Sequence, residues 1–182
     1  SFVDWLPDGS MLVSTRFGDT AQLHRVRQPL GSREQITFDT EPITAASAPQ
    51  TGGAPGFVFL RDQGGNENAQ IFYRDLTTRT TRRLTDGQSR NASAVWSRDG
   101  RRVAYTSTAR DGVSYDLYIA DVLENAAPRF VMNGMSKTWF ALDWSVDDSK
   151  LLVLNYRSIN ESYLFIADAI TGSLTPVDAG NN

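Results

Sequence analysis

The chain has 182 residues, with 18 basic and 21 acidic side chains, a single His and no Cys. A formal charge of −3 gives no electrostatic footprint for nucleic acid or for an anionic membrane, and without Cys there is neither a disulfide nor a thiolate metal site. The longest apolar runs fall far short of the about 20 residues that cross a bilayer, and no cationic stretch followed by an apolar core opens the chain. This composition fits a reducing, cytoplasmic setting first, with the periplasm as the alternative. The chain opens on Ser1-Phe2-Val3-Asp4-Trp5, in the middle of a pattern, as an excised piece of a longer protein would.

Taken in chain order, the predicted elements are all strands. A first strand ends at Trp5, turns through Asp8-Gly9 and continues as Met11–Thr15, then Gln22–Val26, then a short strand near Ile36. Gly supplies positive φ without steric cost and Asp bonds its own backbone, so Asp-Gly between apolar runs is a strong turn signal. The next Trp slot falls near Gln50, where the Trp is lost but the turn and the run Phe57–Leu60 survive; Gln70–Arg74 and a strand near Leu84 follow. After Trp96 and the turn Asp99-Gly100 come Val103–Ser107, Asp116–Ala120 and a strand near Val131. After Trp144 come Leu151–Asn155, Tyr163–Ala167 and a strand near Val177. The runs are rich in Val, Ile, Leu, Phe and Tyr and alternate with period two, which suits a pleated surface and not a helix.

The same order is written four times. Trp96 and Trp144 lie 48 positions apart, and Trp5 and Trp96 lie 91 apart, about two repeats. Asp75, Asp121 and Asp168 each end a third strand, at spacings of 46 and 47, with Arg27 in the same slot of the first copy. Four antiparallel strands in about 45 residues is the unit of a β-propeller blade. The predicted fold is therefore all-β: part of a propeller ring, a single segment over 1–182, with four four-stranded blades at about 1–39, 40–87, 88–134 and 135–179. A β-solenoid of similar period is the alternative architecture. One such sheet leaves apolar residues on both faces, which stacking buries, so Trp5, Trp96 and Trp144 are assigned to the blade core. Trp139 stands outside that slot.

Little in the chain offers chemistry. There is no Gly-x-Ser-x-Gly elbow; Gly87-Gln88-Ser89-Arg90-Asn91 comes nearest and lacks the second Gly. His24 sits in a third strand, where a structural role is expected, so no catalytic residue is assigned and no metal or cofactor is implied. Asp62, Asn66, Glu67 and Asn68 place several oxygens on one hairpin loop, but their spacing departs from that of a calcium loop. A polar tip is expected there, facing another domain or a substrate. Arg79, Arg82 and Arg83 form the densest basic cluster and read as a solvated face. Asn91-Ala92-Ser93 and Asn160-Glu161-Ser162 match the glycosylation sequon by pattern only.

The phrase WSRDGRRVAYTSTARDGVSYDLYIADV is similar to the TolB-like, WD40-like propeller repeat. The hairpin Asp62-Gln63-Gly64-Gly65-Asn66-Glu67, followed by Gln70-Ile71-Phe72 and an Asp75-Leu76-Thr77 turn, resembles the propeller of prolyl-oligopeptidase-type serine peptidases. So does STRFGDTAQLHRV followed by REQITF. The resemblance implies a non-catalytic propeller that gates or selects peptide substrates for an α/β-hydrolase domain of the same polypeptide, absent from this segment. The dipeptidyl branch of that family uses adjacent propeller glutamates, whereas Glu34, Glu41, Glu67, Glu124 and Glu161 are isolated here. The other reading is a TolB-type propeller serving as a protein-interaction platform. A strand–Gly-x-Ser-x-Gly–helix pattern beyond residue 182 separates the two. A further expectation is that an open arc exposes its two end blades, through which two copies can pair.

Overall fold

The computed structural model describes residues 1–177; the end of the fourth predicted blade, 178–179, lies outside the described residues. Sixteen strands form four antiparallel four-stranded sheets, each a simple meander. The first holds β1 (Phe2–Trp5), β2 (Met11–Thr15), β3 (Gln22–Val26) and β4 (Arg33–Gln35). The second holds β5 (Ala45–Ser47), β6 (Gly56–Arg61), β7 (Gln70–Asp75) and β8 (Thr81–Arg83). The third holds β9 (Asn91–Trp96), β10 (Arg102–Ser107), β11 (Asp116–Asp121) and β12 (Arg129–Met132). The fourth holds β13 (Thr138–Trp144), β14 (Lys150–Ser158), β15 (Glu161–Asp168) and β16 (Leu174–Pro176). This is the part-ring of a β-propeller.

The recurrent residues explain the recurrent turns. The carboxylates of Asp75, Asp121 and Asp168 each accept two backbone N–H bonds from the next turn: Thr77 and Thr78, Leu123 and Glu124, Ile170 and Thr171. This local bonding closes the third strand onto the fourth. Arg27, in the same slot of the first sheet, cannot cap in this way; that turn closes on a Gly31-to-Gln28 backbone bond, with Leu30 at φ 62°. The outer strands end just before the apolar markers Ile36, Leu84 and Val177. Ile36 and Leu84 are buried as the chain leaves the sheet edge toward the next blade.

Each sheet has a leading face toward the preceding blade and a trailing face toward the following one. Three separate cores fill the three layers between four blades. Leu12 and Leu23 pack on Phe57 and Phe59; Val58, Ile71 and Tyr73 on Trp96, Val103 and Tyr105; Ala104, Leu117 and Ile119 on Trp139, Trp144, Leu151 and Val153. The pleat alternation makes this possible. In β10 and β11, Val103, Tyr105, Tyr118 and Ala120 lead while Ala104, Thr106, Leu117 and Ile119 trail. The leading face of the first sheet and the trailing face of the fourth lie outside these three cores, so the four blades stand as an arc.

Candidate functional site

The tryptophan slot lies on the leading face. Trp96 donates its indole N–H to the carbonyl of Ser47 at 3.0 Å, and Trp144 to that of Val95 at 3.1 Å. In both cases the acceptor belongs to the inner strand of the preceding blade, one residue before that blade's own slot. The slot of the second blade is thereby Ala48, close to the expected position near Gln50. Trp96 and Trp144 are 8% and 2% exposed, as core residues are. Trp5 is 58% exposed, which corrects its assignment to the core. It occupies the same slot, but on the leading face of the first sheet, where no blade of this chain covers it. Trp139, outside the slot, is buried against Phe165 and donates to the carbonyl of Gly134 at 3.0 Å. Its signal was present: in Thr138–Trp144, Trp139 and Ala141 alternate onto one face.

The hairpin loop bonds partly to itself and partly to its neighbours. Asp62 accepts the N–H of Glu67 at 3.2 Å, and Asn66 that of Asn68 at 3.0 Å. Gly64, Gly65 and Glu67 take positive φ, which lets the tip fold over. The Asn68 side-chain oxygen accepts from Arg90, and Glu41 reaches the Gly64 N–H. Among the described residues no group of three or more His, Asp or Glu side chains is placed to hold a metal ion. His24 is buried; its Nδ1 meets the Gln22 carbonyl at 3.1 Å and its ring meets the edge of Phe17. Asn91 is buried and its amide donates to the carbonyls of Ala69 and Ser89, so its side chain is a loop fastener and not an open glycan acceptor.

The basic cluster is divided by the pleat. Arg82 trails and donates to the Val122 carbonyl of the third blade at 2.8 Å. Arg83 leads and donates to the Thr85 carbonyl at 3.0 Å. On that leading face it joins two arginines from other strands, Arg61 and Arg74, which no sequence motif links to it. With Phe38, Asp39, Phe72 and Thr81 they line a cavity of about 370 Å³ between the outer strands of the first two blades. Period-two alternation was enough to put Phe57, Phe59 and Arg61 on one face of β6, but only the strand register brings Arg74 and Arg83 beside them.

No family model matches the chain. The Tol-Pal system protein TolB of Desulfosudis oleivorans is 31% identical over 132 residues, which are 70% of this chain and 28% of that protein. The crystal structure of TolB from Acinetobacter baumannii matches 96% of the chain and 42% of its own, at a TM-score of 0.68 and 24% identity. A prolyl endopeptidase structure matches 95% of the chain and 28% of its own, at a TM-score of 0.73 and 13% identity. The chain thus carries a TolB-like propeller fold, also found in prolyl endopeptidases, and spans less than half the length of these relatives.

Proposed function

We propose that the chain is a non-catalytic segment of a TolB-type propeller and works as a protein-interaction platform. The 31% identity to TolB over 132 residues carries this reading, because it reaches into the sequence, whereas the likeness to the endopeptidase at 13% identity is one of fold. The name of that relative supplies the candidate partner, the Pal component of the Tol-Pal system. The second reading, a propeller gating peptide access to a hydrolase domain of the same polypeptide, is favoured by the hairpin phrase at Asp62–Glu67. In either case the two open end faces take a further blade; for the isolated chain we propose that a second copy provides it.

One pair of measurements separates the readings. The full-length parent protein is treated with a fluorophosphonate that labels activated serines, and separately titrated calorimetrically with Pal. The platform reading expects saturable binding of Pal and no labelling. Labelling together with cleavage of a proline-containing peptide overturns it in favour of the peptidase.

A further inference from the structure

The arginine-lined cleft between the first two blades is a departure from the repeat. The strand registers put equivalent positions of the four leading faces side by side. The slot of Arg61 holds Thr15, Ser107 and Asn155 in the other blades; that of Arg74 holds Val26, Ala120 and Ala167; that of Arg83 holds Gln35, Phe130 and Pro176. All nine are uncharged, so blade stacking does not require cations there. In the third blade Ala120 packs in the layer against the second blade; in the second blade Arg74 takes that place, and a cleft of about 370 Å³ stands where the core would continue. The corresponding cavity one layer on is lined by Tyr105, Tyr118, Asn91 and Asp86 and holds no arginine.

Three guanidinium groups face one carboxylate in the cleft. Arg61 lies 3.0 Å from Asp39 and 4.5 Å over the ring of Phe72. Arg74 spends one terminal nitrogen on the Arg79 carbonyl and the Thr81 hydroxyl, and Arg83 spends its Nε on the Thr85 carbonyl. Neither Arg74 nor Arg83 has a carboxylate within salt-bridge distance among the described residues, and the Nε of Arg74 is buried without a hydrogen-bond partner, whereas that of Arg61 faces Asp39. Guanidinium forks match carboxylates in geometry, and such charge-assisted bonds are the strong ones. Phe72, stacked on Phe59, forms an apolar wall, and Phe38 stands 73% exposed beside it. Charge, fork geometry and aromatic wall together suit an acidic side chain that is adjacent to an apolar one.

We infer that this cleft binds an acidic peptide segment, with a carboxylate on Arg74 and Arg83 and a neighbouring apolar side chain against Phe38 and Phe72. The inference is independent of whether the parent is a platform or a peptidase. It is tested on the chain itself by following the arginine Nε–H resonances during titration with Ac-Phe-Glu-Phe-Glu-NH2, with the Gln-for-Glu peptide, and with succinate. Saturable shifts of the Arg74 and Arg83 signals with the Glu peptide are expected, with at least ten-fold weaker binding of the Gln peptide and of succinate. Raised salt should weaken the Glu peptide. Arg83→Gln, whose fold is verified by far-ultraviolet circular dichroism, should lose about ten-fold in affinity, and Arg27→Gln, on a separate surface pair, should lose none. Equal binding of the Gln peptide, or unshifted arginine signals at millimolar Glu peptide, overturns the inference. Succinate binding as tightly as the peptide also overturns it, by assigning the cleft to free carboxylates.

Discussion

At the scale of residues, one residue type in one slot has two fates, and burial separates them. Trp96 and Trp144 each fill an inter-blade layer and satisfy an indole N–H, whereas Trp5 rests against Phe2 in solvent. Trp96→Ala and Trp144→Ala should each cost about 3–5 kcal/mol, from lost burial and the cavity left behind. Trp5→Ala should stay within about 0.5 kcal/mol in the monomer, as surface changes do. Urea denaturation midpoints check this, and equal shifts for Trp5 and Trp96 contradict it. The turn aspartates make a second prediction. Hydrogen bonds from Ser145 and Ser149 bring Asp147 down to about 2, and those from Ser114 and Val113 bring Asp111 to about 2 as well, against an ordinary value of 3.8. Both folded values are depressed, so their stabilisation is in place above pH 3.8 and is lost as pH falls from there through about 2. Carboxyl chemical shifts should show both titrating at the bottom of that window; an ordinary value at either position rules out its hydrogen bonds in solution.

At the scale of elements, the blades are fastened by side chains that reach backbone groups across layers. Asp148 at φ 57° turns its carboxylate onto two N–H groups of the preceding blade's turn, Arg98 at 2.6 Å and Asp99 at 2.9 Å. Asp148→Asn keeps the shape and tolerates the positive φ, but leaves one acceptor where there were two. It should cost about 1–3 kcal/mol, since a charged acceptor is lost and an N–H loses its partner. A loss of amide protection confined to the Arg98–Asp99 turn and β13 under native-state hydrogen exchange would locate the effect, and unchanged protection there would refute it. Strand order and period were readable in the sequence because alternation and Asp-based turns are local. The leading or trailing direction of each face was not, because it depends on register between strands and on which neighbour is present. For that reason the slot alone places Trp5 in the core, and local alternation does not gather Arg61, Arg74 and Arg83 into one cluster. The hairpin tip at Asp62–Asn68 is legible as a polar turn, since the bonds within it are local, while its bonds to Glu41 and Arg90 depend on neighbouring loops that no local pattern shows.

At the scale of the whole molecule, the arc has two unlike ends that fit the rule of its own interior. The leading face of the first blade offers Phe2, Met11 and Val13 around a hollow of about 600 Å³, with Trp5 exposed against Phe2. The trailing face of the fourth offers Leu152, Leu154, Leu164 and Ile166, paired across β14 and β15. Every internal layer sets a trailing face on a leading one, and both slot tryptophans inside the arc donate to the residue before the preceding slot. By the same rule the indole of Trp5 would meet the carbonyl of Asp143 in a second copy. Such a contact is head to tail, and two four-blade arcs joined twice close with two-fold symmetry if the blade rotation permits. The isolated chain is therefore expected to dimerise, since exposed apolar sheet faces of this kind drive association. Sedimentation equilibrium over a hundred-fold concentration range should show a monomer–dimer equilibrium, with tryptophan emission shifting to the blue as Trp5 becomes covered. Trp5→Asp should abolish the dimer while far-ultraviolet circular dichroism stays unchanged. A monomer at every concentration, or a dimer indifferent to Trp5→Asp, would show that the end faces are not used between copies; an open-ended series of larger species would show that the faces pair but the rotation does not close.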